Sequence, residues 1–138
     1  DYGNSRADFA SRREELGITP VVLGAVDDDA LPALVAGCEV FAFPSIKEGF
    51  GLAAMEALAA GRPVVARELP ILREVFGDAV RYAATVDELA SELAAARTPD
   101  PARTDTGREL ARSLTWEAAA RAHLDFYRAH PLASVLAE

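Results

Sequence analysis

Short apolar runs separated by helix-forming stretches limit this fold more than any other feature of the chain. Val21-Val22-Leu23, Val40-Phe41-Ala42-Phe43, Pro63-Val64-Val65-Ala66 and Ala79-Val80-Arg81-Tyr82 are each too short for a helix. The first three lack polar alternation, so they read as strands covered on both faces; the fourth, with Arg81, is weaker. Parallel strands need crossover connections, and helical segments lie between these runs. The expected fold class is α/β: a parallel sheet of about four strands with helices on both faces.

Punctuation residues set the expected helices. A helix over 7–16 has Ser5 as a cap and Gly17 as its stop. Asp27-Asp28-Asp29 offers cap oxygens for a helix reaching about Val35. The Ala-, Leu- and Glu-rich stretch 52–60 is helical and closed by Gly61, and Pro70 starts a short helix to Phe76. Thr85-Val86-Asp87-Glu88 is a capping box for a helix ending near Ala96, before Thr98-Pro99-Asp100-Pro101. Two last helices cover 102–114 and 116–128, with Leu110, Leu114, Ala118, Ala122 and Phe126 expected to face the core and Trp116 to pack.

Composition narrows the partners. At 138 residues, 51% hydrophobic and 26% charged, the sequence suits one globular domain spanning 1–138. The net charge of −8 is the wrong sign for nucleic acid or for polybasic attachment to lipid. Cys38 is the single cysteine, which excludes an internal disulfide and is read as a small buried residue. His123 and His130, seven apart on the last helix, are read as ordinary helix residues, and no metal site is expected. No run is long enough to span a membrane and no signal peptide pattern is present, so the expectation is a cytoplasmic protein.

Ligands of parallel α/β sheets sit beyond the carboxyl ends of the strands. After Phe43 comes Pro44-Ser45-Ile46-Lys47-Glu48-Gly49-Phe50-Gly51-Leu52, and then the helix carrying Glu56. Gly49 and Gly51 permit close backbone approach at a helix start, where N–H groups and the helix dipole favour a phosphate. Lys47 can add positive charge. Glu48 and Glu56 suit a different task, because carboxylates repel phosphate but accept hydrogen bonds from paired hydroxyls. A phosphate cradle between two diol-binding carboxylates describes a nucleotide-sugar site.

The run Pro44-Ser45-x-x-Glu48-Gly49-Phe50-Gly51-Leu52-x-x-x-Glu56-Ala57, continued by Gly61-x-Pro63-Val64-Val65, closely resembles the retaining glycosyltransferases of the two-domain GT-B fold, family 4 (group 1). The resemblance implies a Rossmann-like C-terminal donor-binding domain and metal-independent transfer of a sugar, with retention, to an unknown acceptor. By similarity, Glu48 contacts the donor sugar beside the reacting carbon and is the catalytic candidate. Gly49, Phe50, Gly51 and Leu52 hold sugar and phosphates, and Glu56 takes the ribose hydroxyls. No cofactor is implied beyond the nucleotide-diphosphate sugar itself.

The family also has two leading strands, an Arg/Lys pair that clamps pyrophosphate, and an N-terminal acceptor domain, none of which is found here. The 138 residues, which open on Asp1, are therefore expected to be part of a longer enzyme and inactive alone. Any peripheral membrane association is expected through the other domain. Arg67-Glu68-Leu69 replaces the small, often Gly-containing loop common at that point in the family. Two alternatives stand beside this reading. One is a non-catalytic nucleotide-binding module. The other is an NAD(P)-binding Rossmann domain, since Gly49-Phe50-Gly51-Leu52-Ala53-Ala54 fits a loose dinucleotide fingerprint and Glu68 follows at a strand end. Five residues between strand and first glycine count against the latter.

Overall fold

Val64, Val65 and Ala66 are almost wholly buried, as a central strand covered on both faces requires. The computed structural model describes residues 12–130. In it, β1 (Phe41–Phe43), β2 (Val64–Arg67) and β3 (Arg81–Ala83) form a parallel sheet in chain order. Phe41 pairs with Val64 and Phe43 with Ala66 on one side of β2; Val65 pairs with Arg81 on the other. Residues 12–15 are helical, as the end of the expected helix over 7–16 whose start lies outside the described residues. The further helices are α1 (Leu31–Gly37), α2 (Leu52–Ala59), α3 (Pro70–Phe76), α4 (Val86–Ala96), α5 (Pro101–Ser113) and α6 (Trp116–Ala129).

One face of the sheet carries the main core. Phe43, Val64 and Ala66 join Ala54, Leu58, Leu72 and Phe76 there, placing α2 and α3 over that face. Alternation turns Val65 to the other face, where α4 packs on β2 and β3. Ala42, beside Val65 in register, is exposed, so this second face is covered over β2 and β3 but open over β1. α5 lies against α2 through Gly107: a Cβ there would come within 2.7 Å of the Leu58 Cδ2 atom.

Several polar clasps tie the α3–β3 corner. Tyr82 directs its hydroxyl between the carbonyls of Leu72 and Gly77, at 3.0 and 2.9 Å. Burial raises its pKa, against the opposing pull of the Arg73 guanidinium stacked 4.0 Å from the ring centre. Arg103 reaches from α5 to the carbonyls of Asp78 and Val80 at 2.6 and 3.0 Å. These bonds hold the short turn Gly77–Ala79 in place before β3 begins.

The α/β class and parallel sheet are as expected, but the strand count is three among the described residues. Val21-Val22-Leu23 is unpaired, with exposures of 83%, 70% and 55%. The run has the composition of a strand, but no edge of the described sheet pairs with it. The fourth expected strand starts later than 79–82, because Ala79 closes a 3-10 turn.

Two further expectations are corrected. The side chains of Asp27, Asp28 and Asp29 do not cap α1; its preceding turn is made by the Asp27 carbonyl, which accepts from Ala30 and Leu31. Leu110 packs on the core, but Leu114, Ala118, Ala122 and Phe126 do not, and Trp116 is 93% exposed. α6 is amphipathic, and among the described residues no element lies opposite it to cover its apolar stripe. His123 and His130 each place Nδ1 beside a carbonyl one turn back on α6, at 2.7 and 3.0 Å. Cys38 is partly rather than fully buried. The expected cap Ser5 lies outside the described residues.

Candidate functional site

Pro44 ends β1 and the chain turns through 44–50 into α2. Gly51 is the residue before the helix and has φ of 89°, a left-handed conformation that side chains disfavour. It is also pressed against α3: a Cβ there would lie 3.1 Å from the Phe76 ring and 3.3 Å from the Leu72 Cδ2 atom. Its carbonyl accepts from the Met55 N–H at 3.1 Å and so opens the helical ladder. Gly51 offers no side-chain oxygen to the first-turn donors. Those N–H groups, with the positive end of the helix dipole, face the loop.

The loop and helix bring the expected residues into one unit at the carboxyl end of β1. Glu48 is half-buried, three residues before Gly51, while Gly49, Phe50 and Leu52 are exposed. Glu56 is exposed on α2, about 6 Å along the axis from Leu52 at 1.5 Å per residue. No ion pair or side-chain hydrogen bond engages either carboxylate among the described residues. Both are therefore free to accept from a ligand.

Glu56 also lies on the wall of a groove of about 620 Å³ between α1 and α2, together with Asp28, Leu31, Pro32 and Val35. The sequence reading missed this groove. Asp28 and Leu31 are remote from Glu56 along the chain, and the only local signal, the acidic run, was assigned to capping.

At Glu68, the acidic residue of the dinucleotide alternative, Arg73 donates to Oε1 through Nη2 at 2.9 Å and Nε at 3.3 Å. Five residues, 44–48, separate the end of β1 from the first fingerprint glycine, which tells against the dinucleotide alternative. Arg67 ends β2 at the carboxyl edge of the sheet and is half-buried.

Residues 2–98 match the family described as glycosyl transferases group 1. The chain belongs to that family. Group 1 membership agrees with the parallel α/β sheet. The O-antigen chain mannosyltransferase B of Escherichia coli is 38% identical over 100 residues, covering 69% of this chain and 26% of the relative. The MMP alpha-(1->4)-mannosyltransferase of Mycolicibacterium hassiacum is 43% identical over 86 residues, covering 57% of this chain and 21% of the relative. The 2-deoxystreptamine glucosyltransferase of Streptomyces kanamyceticus is 38% identical over 66 residues, covering 46% and 17%. The chain thus spans about a quarter of the length of the first two curated relatives.

Proposed function

We propose that this chain is the donor-binding domain of a retaining hexosyltransferase, and that the sugar transferred is mannose. The observation that carries the reading is the glycine-opened start of α2 between two unengaged carboxylates, Glu48 and Glu56. The amides around Gly49, Phe50, Gly51 and Leu52 receive the sugar and the diphosphate. Charge that develops on the departing diphosphate is met by preoriented N–H donors and the helix dipole, without a protein nucleophile or a metal. Glu48 accepts from sugar hydroxyls beside the reacting carbon. Glu56 accepts from the ribose, and the groove toward Leu31 and Pro32 gives the nucleoside an apolar wall. Mannose is supported by the names of two relatives with the larger coverages.

An acceptor domain elsewhere in the same polypeptide completes the site, in keeping with the greater length of the relatives. No helix among the described residues is long and apolar enough to cross a membrane. Contact with a lipid acceptor is assigned to that other domain.

Calorimetry of the full-length protein against UDP-, GDP- and ADP-sugars, with NAD as control, tests the assignment. Glu56→Ala should weaken donor binding by about 10- to 100-fold, the worth of a hydrogen bond to a charged group. Glu48→Ala should lower turnover by about 100-fold or more while donor affinity changes less. NAD binding without nucleotide-sugar binding, or unaltered affinity and turnover in both variants, would overturn it.

A further inference from the structure

The opposite, amino-terminal end of the sheet has its own concentration of charge. A pocket of about 390 Å³ opens there between the start of β2 and the α4–α5 connection. Arg62, Arg97 and Arg108 all line it, facing Glu39, Asp100 and Asp105. Each carboxylate has its own arginine beside it: Glu39 lies 3.1 Å from Arg97, Asp100 3.3 Å from Arg103, and Asp105 4.0 Å from Arg108. Arg62 is left without a carboxylate among the described residues. Its Nη1 makes one long bond, 3.4 Å to the Cys38 carbonyl, and its buried Nε has no partner.

A guanidinium in that state retains unused donor capacity, and its charge is unbalanced locally. Gly61 draws a second guanidinium to the same place. With φ of 70° and no side chain, it leaves room for Arg108 to lie on the backbone beside Arg62; a Cβ would overlap the Arg108 guanidinium. The Arg97–Glu39 and Arg108–Asp105 pairs are largely exposed, and pairs of that kind hold their partners weakly. Both guanidiniums can turn to a better acceptor at little cost.

We propose that this pocket is a second anion site, in which Arg62, Arg97 and Arg108 take a small phosphate-bearing metabolite. The planar donor forks of arginine match phosphate oxygens in pairs, and the pocket has room for a phosphate with a small organic body attached. It lies across the sheet from the loop 44–51, so occupancy is independent of the donor. Its ligand bridges the starts of β1 and β2 to the α4–α5 connection.

Amide NMR of the isotopically labelled full-length protein, titrated with sodium phosphate and with sodium chloride at matched ionic strength, tests this. Phosphate should give saturable shifts at the amides of Gly61, Arg62, Arg97, Asp100, Thr104 and Asp105. Arg62→Gln should weaken them at least tenfold, as should Arg108→Gln, which serves if Arg62→Gln fails to fold. Arg121→Gln on α6 should change nothing. Shifts equal with chloride, shifts confined to 45–52, or full affinity in both pocket variants would overturn the proposal.

Discussion

α2 and α4 both begin just beyond the carboxyl end of a strand, yet their first turns are completed in opposite ways. α4 closes its own N-terminus: the Thr85 hydroxyl accepts from the Glu88 N–H at 3.2 Å, and the Glu88 carboxylate accepts from Thr85 and Ala84 at 3.3 and 2.7 Å. α2 begins at Gly51, with no side chain to return to its amides. The burial is reversed as well. α2 buries Ala54, Met55, Ala57 and Leu58, whereas α4 buries only Ala96. α4 thus draws on capping and α2 on packing. A helix held by its packed face can leave its N-terminal donors to a ligand. α1 and α3 also lack side-chain caps, but each is one residue shorter than α2 and carries a proline in its first turn, which removes a donor.

The largest effect should come from giving α2 a side chain at its start. Gly51→Val places a β-branched residue at a positive φ and drives it into Phe76 and Leu72. Strain and overpacking each typically cost 1–3 kcal/mol, so a loss of about 3 kcal/mol in urea unfolding is expected. Donor affinity should fall more than tenfold, because the loop 44–50 can no longer enter the helix at this angle. Wild-type donor binding by a stably folded Gly51→Val protein would break the contrast between the two helices.

Thr85→Ala asks the complementary question at the closed end. Loss of the capping hydroxyl should cost about 1 kcal/mol. It should leave donor affinity unchanged, since α4 starts beside β3, away from the loop 44–51. Denaturant midpoints together with donor calorimetry separate these outcomes. A Thr85→Ala variant that loses donor binding as Gly51→Val does would mean that general destabilisation, not the open N-terminus, governs affinity.

The same contrast explains what could be read in advance. α3 and α4 were legible to the residue at most ends because Pro70, the Thr85–Glu88 box and the Thr98-Pro99 break act locally. The glutamate-flanked glycine loop was legible because spacing along one segment fixes it. Whatever depended on a second segment was not. Val21-Val22-Leu23 has the composition of a strand, but pairing needs an edge that no local residue announces. The apolar stripe of α6 shows that a face exists and is silent on what covers it. The groove beside Glu56 and the placement of Arg108 over Gly61 arise only when helices distant in sequence meet.

A third N-terminus sharpens the comparison by the smallest step. Asp100 caps α5, accepting from the Arg103 N–H at 3.1 Å, and its carboxylate also meets the Arg103 guanidinium. That backbone hydrogen bond, helped by the nearby charge of Arg103 and opposed by some desolvation, lowers its pKa below the ordinary 3.8. The folded state then favours the charged form, while the unfolded chain takes up its proton first as pH falls. The stabilisation is complete above the ordinary value and is lost as pH drops through the lowered one. Asp100→Asn keeps an oxygen for the cap but removes the charge, so its stability should depend less on pH between about 5 and 2, with a slight loss at pH 7. Chemical unfolding across that range gives the two slopes, and equal slopes would show that the cap works through its oxygen alone.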